Sequence, residues 1–150
     1  MGEPRTFPAE ASVSRIRHAF LLCALVFAVS HLAFAGGGRE AGALIGPEDA
    51  FRMVERGEAL LVDVRDEGAY VDAHLAGAIL VPLTEVGESA SRLASDGRTI
   101  ITYCSCPAEE TSVAAASELI ARGMDDVLVL RGGTRGWAIA GLPLKSGSRP

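Results

Sequence analysis

The chain has 150 residues, 49% of them apolar and 22% charged, with a formal net charge of −5. That length holds one domain with a real core, and the composition fits a globular protein. The acidic balance, with no basic patch or stripe, argues against nucleic acid or anionic lipid as a partner.

At the N-terminus, Arg15 and Arg17 precede a mostly apolar stretch, residues 19–35, that ends Ala33-Phe34-Ala35. A positive n-region, an apolar h-region and an A-x-A-like site are the marks of a secretory signal peptide over residues 1–35. Gly36 to Gly38 then open a flexible linker, residues 36–42. The rival reading is an uncleaved anchor facing outside the cytoplasm, because the stretch nearly reaches spanning length; Ser30 and His31 weaken it. Cleavage is the expectation, and it places the protein in the periplasm or outside the cell. A membrane is then a partner only if the segment is retained. Loss of residues 1–35 removes three arginines and two glutamates. The 14 Lys/Arg and 19 Asp/Glu fall to 11 and 17, a net charge of −6.

Beyond the linker, short apolar runs alternate with helix-like segments. GALI (42–45) reads as a first strand, and GPEDAFRMVERG as a helix with Pro47 in its first turn and Gly57 as its stop. ALLVDV (59–64) is a continuous apolar run, the mark of a strand buried on both faces. GAILVPL (77–83) is another, with Pro82 placing its end near an edge or turn. In TEVGESASRLASDG, Val86, Ala90 and Leu93 share one helical face. TIITY (99–103) is a third buried strand. SVAAASELIARG reads as a helix with Val113, Ala116 and Ile120 on one face and Gly123 at its end. DVLVL (126–130) is a last strand, and GGTRGWAIAG a turn and short helix. The alternation predicts an α/β domain: a parallel sheet with helices on both faces.

Ligands of such sheets bind beyond the carboxyl ends of the strands. Cys104 stands at that end of TIITY, just before a helix, where backbone N–H groups converge and favour an anion. A thiolate there is stabilised, although Glu109 and Glu110 oppose it; their side chains are expected to face solvent while the amides face inward. After export only Cys104 and Cys106 remain, in an oxidising compartment where thiol pairs normally form disulfides. A bridge between cysteines one residue apart closes a very small, strained loop that staples nothing, so reactivity is the better reading.

Four segments, in order, resemble the rhodanese-type sulfurtransferase family. LLVDVRDEGAYVDAHLAGAILVPL is similar to its aspartate-valine-arginine segment running into a histidine-x-x-glycine-alanine turn. IITYC resembles the strand that delivers the active-site cysteine. AAASELIARGMDDVLVL resembles the helix and strand that follow, and RGGTRGWAIAGLPL the closing glycine-glycine…tryptophan…glycine-x-proline segment. The resemblance implies a three-layer rhodanese-like domain over residues 43–143, with about five parallel strands and residues 144–150 as a C-terminal tail. It also implies that Cys104 accepts a sulfane sulfur as a persulfide and passes it to a thiol or another nucleophile. The partners are then a sulfane-sulfur donor and a thiol acceptor, without a cofactor.

The active-site loop is Cys104, Ser105, Cys106, Pro107, Ala108, Glu109, Glu110, Thr111 and Ser112. It is about two residues longer than the family's usual loop and carries no basic residue. Pro107 lacks an N–H, which removes a donor from any anion cradle. These departures weaken the fit to thiosulfate, a dianion. They also argue against the phosphatase relatives of the fold, which place an arginine where Glu110 stands. Asp63, Arg65 and His74 are supporting residues: an acid and base that pair with loops or each other, and a histidine bonded to backbone. A metal held by Cys104, Cys106 and His74 departs from structural zinc spacing, so no metal is expected. Cys106 reads equally as a resolving thiol or an incidental loop residue. A catalytically inactive module, binding a protein through the acidic loop or sensing redox state, is the alternative function.

Overall fold

The computed structural model describes residues 42–150. The expected signal segment, and all of the linker but Gly42, lie outside the described residues. Among the described residues no helix is long and apolar enough to cross a membrane.

In chain order the strands are β1 (Leu44–Ile45), β2 (Ala59–Asp63), β3 (His74–Leu75), β4 (Ile79–Leu80), β5 (Thr99–Tyr103), β6 (Val127–Leu130) and β7 (Leu144–Lys145). The helices are α1 (Pro47–Glu55), α2 (Glu67–Asp72), α3 (Val86–Ala94), α4 (Glu110–Ala121) and α5 (Gly133–Ile139), with a 3-10 turn at Leu83–Glu85 before α3. Five strands form one parallel sheet in the order β1-β6-β5-β2-β4. The apolar runs at 59–63 and 127–130 are buried at every position, as a strand covered on both faces requires.

Alternation along the strands splits the core in two. Leu60, Val62, Ile100, Val127 and Val129 face α3 and α4, meeting Val86, Ala90, Leu93, Ala115, Ala116 and Leu119. Leu61, Ile101, Tyr103, Leu128 and Leu130 face α1 and α5, meeting Ala50, Met53 and Trp137. The result is the expected three layers.

Three details differ from the sequence reading. The buried face of α4 is Ser112, Ala115, Ala116 and Leu119, while Val113, expected on it, is 43% exposed. The helix begins at Glu110, and its small residues pack closely on the sheet, so the stripe of alanines rather than the larger β-branched residues sets the rotation. The run 77–83 forms only a two-residue strand at the sheet edge, although Val81 N and Leu83 N still donate to Asp63 O and Val64 O at 2.9 and 3.1 Å. Pro82 lies between those two donors and has none of its own. Residues 144–150, expected as a tail, begin with β7, which pairs antiparallel with β3 in a second, two-stranded sheet.

Candidate active site

The middle strand of the large sheet, β5, ends at Tyr103, and Cys104 is the next residue. It is 2% exposed. Its carbonyl accepts a 3.0 Å bond from Thr134 N–H, at the start of α5. Gly133 lies so close that a Cβ there would overlap the Cys104 carbonyl oxygen, and its φ is +48°. This position therefore requires glycine twice over, for close approach and for backbone conformation.

Beyond Cys104 the loop curls back. The Cα atoms of Cys104 and Cys106 are 5.8 Å apart, and their sulfurs are joined in a disulfide. Cys106 N–H points at Cys104 Sγ from 3.4 Å. Ser112 Oγ lies 3.6 Å from the same sulfur and 3.0 Å from Glu109 O, so its one proton serves either acceptor. Thr111 Oγ1 is 3.5 Å from Cys106 Sγ. The bridge follows from the turn itself, since a loop that brings its third residue's N–H over the first sulfur also brings back the third side chain.

Glu109 departs from the expected solvated carboxylate. Among the described residues it is the one non-glycine with positive φ, at +55°, and its Oε1 accepts a 2.6 Å bond from Gly132 N–H. Its carbonyl accepts from Val113 N–H at 2.8 Å. Glu109 thus ties the cysteine loop to the loop before α5. Glu110, the first residue of α4, is exposed, as expected. Pro107 and Ala108 are exposed at the loop tip, and Ser105 is exposed beside the cysteines.

Asp63 ends β2, fully buried, and both its carboxylate oxygens accept from the Arg65 guanidinium at 2.6–3.1 Å. Arg65 also donates to Ala73 O at 2.7 Å, and its guanidinium carbon lies 5.8 Å from the centre of the Tyr103 ring. Burial acts to lower the Arg65 pKa, but the Asp63 carboxylate outweighs it and the net shift is upward. Burial first, then Asp63, pushes the Tyr103 hydroxyl above its ordinary range. His74 stacks on Tyr70 at 3.9 Å, and its ring nitrogens lie 2.8 Å from Tyr70 O and 3.1 Å from Arg149 O. It is outside the cysteine cleft and holds the β3–β7 corner.

Val64, Arg65, Asp66, Cys104, Ser105, Cys106 and Thr111 line a cleft of about 350 Å³. Both cysteines line it, and Arg65 is the one basic residue of the lining, paired with Asp63. Among the described residues no His/Cys/Asp/Glu group has metal-site geometry. Sequence reasoning missed Gly133, Thr134 and the Glu109–Gly132 bond. The double glycine at 132–133 was the available signal, but the partners it meets are more than twenty residues away.

A parallel α/β sheet whose central strand delivers a cysteine to a small cleft at its carboxyl edge defines a class: one-domain enzymes and modules built around a single reactive thiol. Comparison with known proteins narrows it. The family model described as "Rhodanese-like domain" matches residues 46–140, and the chain belongs to that family. It is 32% identical over 102 residues to thiosulfate sulfurtransferase GlpE of Actinobacillus succinogenes, covering 68% of this chain and 89% of the relative. It is 36% identical over 109 residues to an HTH-type transcriptional regulator of Mycobacterium tuberculosis, covering 68% of this chain. The chain spans 47% of that regulator's length, about half. A thiosulfate sulfurtransferase of Pseudomonas aeruginosa superposes with a TM-score of 0.64 at 29% identity, covering 71% of this chain and 20% of that one.

Proposed function

We propose that the protein is an exported sulfurtransferase in which reduced Cys104 takes a sulfane sulfur from a persulfide-type donor and passes it to a thiol or other nucleophile. The observation that carries this reading is the position of Cys104: it follows the central strand, its sulfur has hydrogen-bond donors in reach, and it opens on a cleft with room for a second sulfur. In the first half-reaction the Cys104 thiolate attacks the outer sulfur of R–S–SH. The donor's S–S bond breaks, R–S⁻ leaves, and Cys104 becomes the persulfide. Acceptor attack on that outer sulfur completes transfer and restores the thiolate.

The cleft's charge favours this donor class over thiosulfate. Arg65 is paired with Asp63, Asp66 adds a carboxylate to the lining, and the loop carries no base. A dianion finds little there to replace its water. The decisive experiment is mass spectrometry of the intact, reduced protein after exposure to a sulfane donor. The expected result is a gain of one sulfur that Cys104→Ser loses; no gain in the parent protein sinks the proposal. The disulfide favours one second reading, a redox-sensing module, for which oxidation of the pair would change binding to a protein while no sulfur is taken up. Export is tested separately by N-terminal sequencing: a mature chain starting near Gly36 supports it, and an intact apolar stretch in membranes supports an anchor instead.

A further inference from the structure

The disulfide places a second thiol where sulfur transfer alone has no use for one. We infer that Cys106 is a resolving cysteine, which makes the domain a persulfide reductase that discharges its cargo as sulfide; the inference rests on the sulfurtransferase reading above.

The loop is already folded for this step. Cys104 and Cys106 are bonded with their Cα atoms 5.8 Å apart, inside the range that a disulfide needs without backbone movement. Once Cys104 carries Sγ–SH, the outer sulfur occupies the cleft and the Cys106 thiolate lies next to the inner one. Its attack on Cys104 Sγ forms the Cys104–Cys106 bond, breaks the bond to the outer sulfur and expels it as HS⁻. The sulfane sulfur is reduced by two electrons, and the two cysteines are oxidised by the same two. An external thiol reductant, monothiol or dithiol, then restores the pair and is itself oxidised to a disulfide.

The two sulfurs are unequal in a way that suits this cycle. Cys104 is 2% exposed and Cys106 is half-buried, so the sulfur open to an incoming thiol is that of Cys106. Attack there expels the Cys104 thiolate, which has Cys106 N–H and the Ser112 hydroxyl within 3.4 and 3.6 Å to stabilise it. A stabilised thiolate is the better leaving group. Reduction thus returns the nucleophile directly in its reactive form. The arrangement also accounts for the departures of the loop. Its two extra residues and Pro107 tip give the chain the slack to turn Cys106 back, and the carboxylate of Glu109 fixes the far end of that turn on Gly132.

The test is a single turnover of the full chain, reduced with dithiothreitol, freed of it, and mixed with one equivalent of cysteine persulfide. The parent protein should release one sulfide per chain with no further thiol, and its mass should fall by two hydrogens as the disulfide forms. Cys106→Ser and Cys106→Ala should instead gain one sulfur and release sulfide only when dithiothreitol is returned. Using both variants guards against a folding defect in one. Retention of the sulfur by the parent protein, or equal sulfide release by both variants without thiol, overturns the resolving role and leaves the sulfurtransferase reading standing. Failure of the parent protein and both variants to take up or release any sulfur overturns that reading as well.

Discussion

Gly133→Ala tests whether the site depends on the close approach of two loops. A Cβ on Gly133 would overlap the Cys104 carbonyl oxygen and lie 3.0 Å from its carbon. Both neighbours are backbone, so no side chain can swing aside. Clearing the oxygen takes a shift of about 1 Å, and misplacement of that size near a reacting atom costs about 10²-fold in rate. The shift also strains the Thr134 N–H bond to Cys104 O, now 3.0 Å. Overpacking of this kind costs about 1–3 kcal/mol, and the left-handed backbone adds about 1–2 kcal/mol for a residue with a Cβ. Gly57→Ala is the control, because Gly57 has φ +69° and nothing within 4 Å of its Cβ position. It should show the backbone cost alone. Urea unfolding of the two variants gives the difference in stability, and the rate at which reduced Cys104 takes up sulfur gives the functional loss. Equal stability of the two variants, with Gly133→Ala transferring sulfur at the parent rate, would refute the reasoning.

Three further expectations follow from the same contacts. Arg65→Met leaves the fully buried Asp63 carboxylate without its main partner and should destabilise by about 3–5 kcal/mol in urea unfolding, whereas a loss under about 1 kcal/mol would mean that the pair contributes little. Ser112→Ala removes a donor near Cys104 Sγ; at about 1 kcal/mol, it should slow alkylation of reduced Cys104 by iodoacetamide about fivefold, and an unchanged rate would show that the hydroxyl serves Glu109 O alone. Glu109 and Glu110 should separate: Glu110→Gln should raise thiosulfate turnover more at low salt than at high, because exposed charge is screened, while Glu109→Ala should cost about 1–3 kcal/mol of stability through the lost Gly132 bond. A rise in turnover independent of salt, or a Glu109→Ala variant as stable as its parent, would contradict that division.

Local pattern alone determined the elements. Short, mostly apolar runs at 59–63, 99–103 and 127–130, bounded by turn residues, read as strands covered on both faces, and the spacing of Val86, Ala90 and Leu93 reads as a helix with one buried side. Those periods are properties of the backbone, so they are visible one segment at a time. The same logic placed Cys104 at the carboxyl end of a strand and named Asp63 and Arg65 as residues that pair with loops or with each other; the structure shows the latter. What the tertiary structure decided concerns groups distant in the chain. Strand β5 became central because β2 and β6 pair on its two sides, which no single segment encodes. Val113 turned outward because the alanines of α4 pack nearer the sheet than its branched side chain allows. Glu109 was drawn from solvent by an N–H at Gly132, and Leu144–Lys145 was drawn from a tail by β3. The bridge between Cys104 and Cys106 belongs to this second group despite their nearness in sequence. Side chains two positions apart share a side of an extended chain but stand parallel, with Cα atoms about 6.6 Å apart, and only the loop folded between α4 and the sheet turns them together at 5.8 Å.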